Sequence, residues 1–131
     1  MNEEFLNTLG SIISTATPLV IASLGETITE RVGVVNLSID GSLALSAVMG
    51  FAAAWTAQEA GILSVPLQIA VGIGVAMLAS ALVALLIAFS SIKLRRDQIA
   101  VGFVLTLLAA DLARFFGADY TRIPGPQITQ Y

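Results

Sequence analysis

Polar and apolar positions fall in long blocks along this chain rather than alternating residue by residue. No Asp, Glu, Lys or Arg occurs in residues 5–25, 41–58 or 60–92, and a fourth apolar run, 99–117, is interrupted only by Asp111 and Arg114. A helix rises about 1.5 Å per residue, so roughly 20 apolar residues cross a hydrocarbon core about 30 Å thick. The blocks predict an all-α fold, a polytopic membrane helix bundle of about four spans. These lie near residues 5–29, 38–57, 66–92 and 98–117, with a tail over 118–131. The third span would be about 40 Å long and should tilt or protrude.

Local chemistry refines these elements. Pro18 removes a backbone donor and frees the carbonyl of Ser14, which predicts a bend, with the hydroxyls of Ser14, Thr15 and Thr17 available to the freed groups. Pro66 suits the first turn of the third helix. Asp97 and Gln98 read as the amino-terminal cap of the fourth, an acid where the helix dipole is positive. Small residues recur every fourth position: Ser42, Ser46, Gly50, Ala54; then Gly72, Ala76, Ser80, Ala84, Ala88; then Gly102, Thr106, Ala110. Such stripes let helices approach closely in lipid, and plain packing is the reading they support first.

Composition excludes a soluble domain. Of 131 residues, 56% are hydrophobic and 11% charged, against about 25% charged in soluble domains. With no cysteine and no histidine, disulfides, thiolate metal sites and imidazole catalysis are excluded, and neither a metal site nor a cofactor is expected on this chain. The net charge of −3 is spread over loops and has no basic patch for nucleic acid, so nucleic acid is not expected as a partner. Glu3 and Glu4 stand where a cleaved secretory signal needs Lys or Arg. No nucleophile has a base beside it, and the single lysine, Lys93, lies in no phosphate loop. The chain is therefore expected not to be an enzyme.

Arg31 between the first two spans, and Lys93, Arg95 and Arg96 between the last two, place those loops in the cytoplasm by the positive-inside rule. The amino terminus, the connection 58–66 and the tail 118–131 are then outside.

Three places carry polar groups that a bilayer penalises. Residues 25–42, GETITERVGVVNLSIDGS, mix Glu26, Glu30, Arg31, Asn36, Ser38 and Asp40 with apolar residues and three glycines. The mixture reads in two ways. One is a broken or re-entrant segment between helices one and two, since unwound backbone at membrane depth survives only inside protein or beside water. The other is a short cytoplasmic turn with a Glu30–Arg31 surface pair. On the first reading Asn36, Ser38 and Asp40 share one face of an extended stretch bracketed by Gly33 and Gly41, and line a solute path. Asp40 could instead cap helix two. Asp97 and Gln98 are the second place, and Asp111 with Arg114, one turn apart as an ion pair, the third.

The stretch TPLVIASLGETITERVGVVNLSIDG, residues 17–41, with its Glu-Arg-x-Gly-x-x-Asn-Leu core, resembles the early signature of permease subunits of ABC importers. The branch is the one that moves branched-chain amino acids, simple sugars and nucleosides. DQIAVGFVLTLLAADLARFFG, residues 97–117, is similar to the next helix of the same family, most closely in its nucleoside and simple-sugar members. The resemblance implies an importer in which this chain works with a second permease subunit, cytoplasmic ABC ATPases and an extracytoplasmic solute-binding protein, embedded in the lipid bilayer of the cell membrane. Family permeases run to about twice this length or more, so the resemblance makes this the amino-terminal part of a permease transmembrane domain or half of a split one.

Two other classes compete. A structural or anchoring subunit without a solute path fits the small-residue stripes equally well, but gains nothing from a buried Asn36 or Asp40. An ion-coupled secondary transporter would want more intramembrane carboxylates and an inverted repeat, and the sequence displays neither.

Overall fold

The computed structural model describes residues 3–61 and 64–125 and is all-helical over them, without strands. Four long helices follow in order: α1 (Glu3–Arg31), α2 (Ile39–Glu59), α3 (Val65–Ala88) and α4 (Gln98–Gly117). α3 runs on into a π-helical turn, Phe89–Lys93, and α4 into a 3-10 turn, Ala118–Tyr120. With these extensions the four are 29, 21, 29 and 23 residues long, and all are apolar enough to cross a membrane. The chain divides into two compact units, Met1–Asn36 and Leu37–Tyr131.

The first unit is α1 and the segment that leaves it. Glu3 and Glu4 lie in its first turn and Arg31 in its last, each charge opposite to the local end of the helix dipole. The helix continues through Pro18. The Thr15 and Thr17 hydroxyls donate to the carbonyls of Ser11 at 2.9 Å and Ile13 at 2.7 Å. They therefore satisfy their own helical turns rather than the Ser14 carbonyl that Pro18 frees. Thr8, Ser23 and Thr27 donate in the same way to the carbonyls four residues back, which lets α1 carry hydroxyls without unsatisfied donors in lipid.

The second unit is built on α2. Both α3 and α4 pack against it, and they touch each other little. The contact faces are made of small residues. α2 buries Gly41, Ser46, Gly50 and Ala54, and α4 buries Gly102, Ala109 and Ala113. α2 and α3 cross where Gly50 meets Gly72: a Cβ on Gly50 would stand 2.9 Å from the Gly72 carbonyl oxygen, and one on Gly72 would stand 2.8 Å from that of Gly50. Backbones this close gain dispersion contacts that larger side chains would prevent. The stripes on α2 and α3 are thus packing surfaces, as the sequence spacing predicts. Ala84 departs from the stripe and is exposed, while Val83 and Ile87 continue the buried face towards the end of α3.

The ends of the helices are fixed individually. Pro66 sits in the first turn of α3. The Asp97 carboxylate caps α4, accepting from the amides of Ile99 at 2.8 Å and Ala100 at 3.4 Å. Tyr120 packs edge-on against Phe51, with ring centroids 6.1 Å apart, and against Trp55 at 5.9 Å. That aromatic cluster ties the end of α4 to α2 at the level where aromatic rings favour the membrane interface.

Candidate functional site

Helical structure stops between α1 and α2 over residues 32–38. The stop is built by Gly33, whose φ of +82° is a left-handed conformation that costs glycine little. The Gly33 amide donates to the Glu30 carbonyl at 2.9 Å and the Val34 amide to that of Thr29 at 2.9 Å. This paired pattern is the Schellman termination of a helix, which satisfies carbonyls that α1 would otherwise leave orphaned.

Glu26 then holds the departing chain. Its half-buried carboxylate accepts from the Asn36 amide at 3.4 Å and from the Thr29 hydroxyl at 3.3 Å. A side chain from inside α1 thereby supplies the backbone partner that residue 36, outside the helix, no longer has. Sequence reasoning grouped Glu26 with the polar residues of the break without finding this role. The available signal is its place one turn before Thr29 and two turns before Gly33.

On the other side of the break, Leu37 and Ser38 lie against α4. The Thr106 hydroxyl donates to the Leu37 carbonyl, and a Cβ on Gly102 would come within 3.1 Å of the Leu37 amide nitrogen. Ser38 is fully buried, precedes α2 as its N-cap, and its hydroxyl lies 3.4 Å from that of Ser42. Gly102 and Thr106, which sequence spacing marks only as a stripe, are therefore what seats the end of the break.

Two geometric expectations are corrected. Gly41 does not bracket an unwound stretch: it lies inside the first turn of α2, buried, where a Cβ would stand 2.4 Å from the Thr106 carbonyl oxygen. Its missing side chain permits a helix crossing rather than a turn. Nor do Asn36, Ser38 and Asp40 share one extended segment. Asn36 is half-buried outside any helix, Ser38 is the N-cap, and Asp40 is exposed in the first turn of α2. The acid there complements the helix dipole, while the N-cap position that the alternative reading gave to Asp40 is held by Ser38.

Residues 8–129 match the family described as branched-chain amino acid transport system, permease component. The chain belongs to this family. The permease chain is also 35% identical, over 92% of its length, to a Haloferax volcanii protein named "Putative glucose ABC transporter permease protein TsgC13". It spans 35% of that relative's length. No solved structure matches it. Family and four apolar helices together make it a multi-pass protein of the cell membrane.

Pro18 is well inside α1, and Glu30 and Arg31 are exposed at its end. Gln98 is half-buried at the first position of α4, beside the Asp97 cap. The Arg114 guanidinium donates to the Asp111 carboxylate at 3.1 Å with both side chains exposed. This is the ion pair found among the described residues, and the surface pair considered for Glu30 and Arg31 is not formed there. Pairing near a span's end lowers the cost of two charges close to lipid. Among the described residues no group of three His, Cys, Asp or Glu side chains could hold a metal ion.

Proposed function

We propose that this chain forms the amino-terminal part of the membrane pathway of an ATP-driven importer for a small polar solute, a simple sugar or a nucleoside. The observation that carries the reading is the break itself: a glycine-terminated helix, a Glu26 clamp and a seated Leu37–Ser38 segment, in a chain matching the permease family over residues 8–129. Non-helical backbone at membrane depth is stable where it is covered by protein or borders water, and transporters put solute sites at such interruptions. Asn36 and Asp40 supply an amide and a carboxylate for solute hydroxyls, while Ser38 and Gly41, both buried, hold the segment in place. The glucose in the Haloferax relative's name favours a sugar.

ATP hydrolysis then belongs to a cytoplasmic ATPase, and solute arrives from an extracytoplasmic binding protein between this permease and a second permease subunit. Arg31 and the basic residues of loop 93–96 face the cytoplasm, and the tail from residue 118 faces outwards.

The test is uptake of labelled glucose and of a labelled nucleoside by the complete importer, with Asn36→Ala and Asp40→Ala introduced separately and membrane abundance measured in parallel. Loss of a polar contact to solute predicts uptake reduced about ten-fold at unchanged abundance. Normal uptake in both variants would reject the path and leave Asn36 as a loop residue and Asp40 as a first-turn acid of α2.

A further inference from the structure

α3 and α4 are joined through a short turn yet pack on α2 rather than on each other. Between them lies a cavity of 220 Å³, lined by Leu82, Leu86, Leu105, Leu108 and Leu112 among others, with almost no polar surface. Leu82, Leu86 and Leu108 are each more than half exposed. The groove begins about 10 Å from the turn between the helices, since Leu86 and Leu105 are each seven residues from Lys93 and Gln98.

The turn above the groove carries Lys93, Arg95 and Arg96, all exposed. It joins two apolar spans, so it sits at the headgroup level of the bilayer. Its backbone is closed by the Leu94 amide on the Phe89 carbonyl at 3.2 Å and the Arg96 amide on that of Ser90 at 3.1 Å. Arg95 has a φ of +50°, a left-handed conformation that glycine adopts without strain and arginine does not. The adjacent acid, Asp97, is occupied in capping α4. Three cations thus stand over an apolar slot, with one carboxylate beside them that is engaged at one oxygen by the α4 amides.

We propose that this turn and groove form a binding site for one anionic phospholipid, its phosphate on Lys93, Arg95 and Arg96 and one acyl chain between α3 and α4. Charge decides for a lipid over another apolar helix. A helix would fill the groove but leave the cations unmatched, whereas an anionic phospholipid presents a phosphate and a hydrocarbon chain at the spacing found here.

The test places the full chain in bilayer nanodiscs of equal phosphatidylglycerol and phosphatidylcholine, extracts it into mild detergent, and counts retained lipids by native mass spectrometry. Phosphatidylglycerol should be retained about ten-fold over phosphatidylcholine, as expected for attraction by several basic residues near the surface. In Lys93→Gln/Arg95→Gln/Arg96→Gln, changed only at exposed positions, the preference should disappear with helix content unchanged by circular dichroism. Leu82→Trp, which fills the groove from an exposed position, should lower phosphatidylglycerol retention while leaving the basic turn intact. Equal retention of the two lipids by the unmodified chain would overturn the proposal. So would unchanged retention in Leu82→Trp, or displacement by millimolar glycerol phosphate, since either means a surface phosphate site without the groove. A photo-crosslinker at Leu108 should yield a phospholipid adduct in membranes of the complete importer. A polypeptide adduct there would assign the groove to a helix and refute the lipid.

Discussion

α1 and α2 are both long and apolar enough to span a membrane, yet they use their glycines in opposite ways. α1 buries none of its residues, and a Cβ on Gly10 or Gly25 would meet nothing within 4 Å. α2 buries Gly41, Ser46, Gly50 and Ala54, and its glycines touch the backbones of α4 and α3. Apolarity alone sends a helix into the bilayer, and small residues in register then make it a packing partner. The difference is local and therefore testable one glycine at a time.

The largest expected effect is at Gly41. Gly41→Ala would force a Cβ against the backbone of Thr106, and overpacking of this severity costs about 3 kcal/mol. The thermal midpoint of the detergent-solubilised chain should fall sharply. An unchanged midpoint would mean that α2 and α4 do not cross there. Next comes Gly33→Ala, which places a side chain at φ +82° and should cost about 1–2 kcal/mol. Glu26→Ala removes the acceptor of the Asn36 amide and should cost about 1 kcal/mol, with faster hydrogen exchange at Asn36 than at Val34. The smallest effect has the opposite sign. Gly10→Ala, in open space within α1, should stabilise the helix by up to about 1 kcal/mol. A loss of stability there would show that α1 too has a tightly packed face.

Much of this fold was legible before the structure. Charge-free blocks place the four helices to within a few residues, because a bilayer span has a fixed length and admits few charges. α1 extends beyond 5–29 at both ends because Glu3 and Glu4 suit a helix start and because Glu30 and Arg31 remain helical until Gly33 terminates the run. The helix expected to about residue 92 runs to Lys93, its last turn, FSSIK, widening to a π-helix after Ala88. That helical structure stops after α1 was also legible, from the polar residues and glycines of residues 25–42. The internal geometry of the break was not. Glycine serves equally for a left-handed turn and for close helix approach, and only the neighbours distinguish Gly33 from Gly41. The Glu26 clamp on Asn36 and the Thr106 bond to Leu37 depend on contacts 10 and 69 residues apart in sequence, which spacing on a single helix cannot reveal.

Central to the account is that the break borders the solute path, and the chain's lack of cysteine allows a direct measurement. Asn36→Cys, in an otherwise cysteine-free complete importer, is reacted with a membrane-impermeant thiol reagent with and without saturating glucose, beside Leu19→Cys on the exposed apolar surface of α1. The account predicts that Asn36→Cys reacts from water and that solute slows its labelling several-fold, while Leu19→Cys stays unreactive in lipid. Labelling of Asn36→Cys that is absent, or is unaffected by every transported solute, would contradict it.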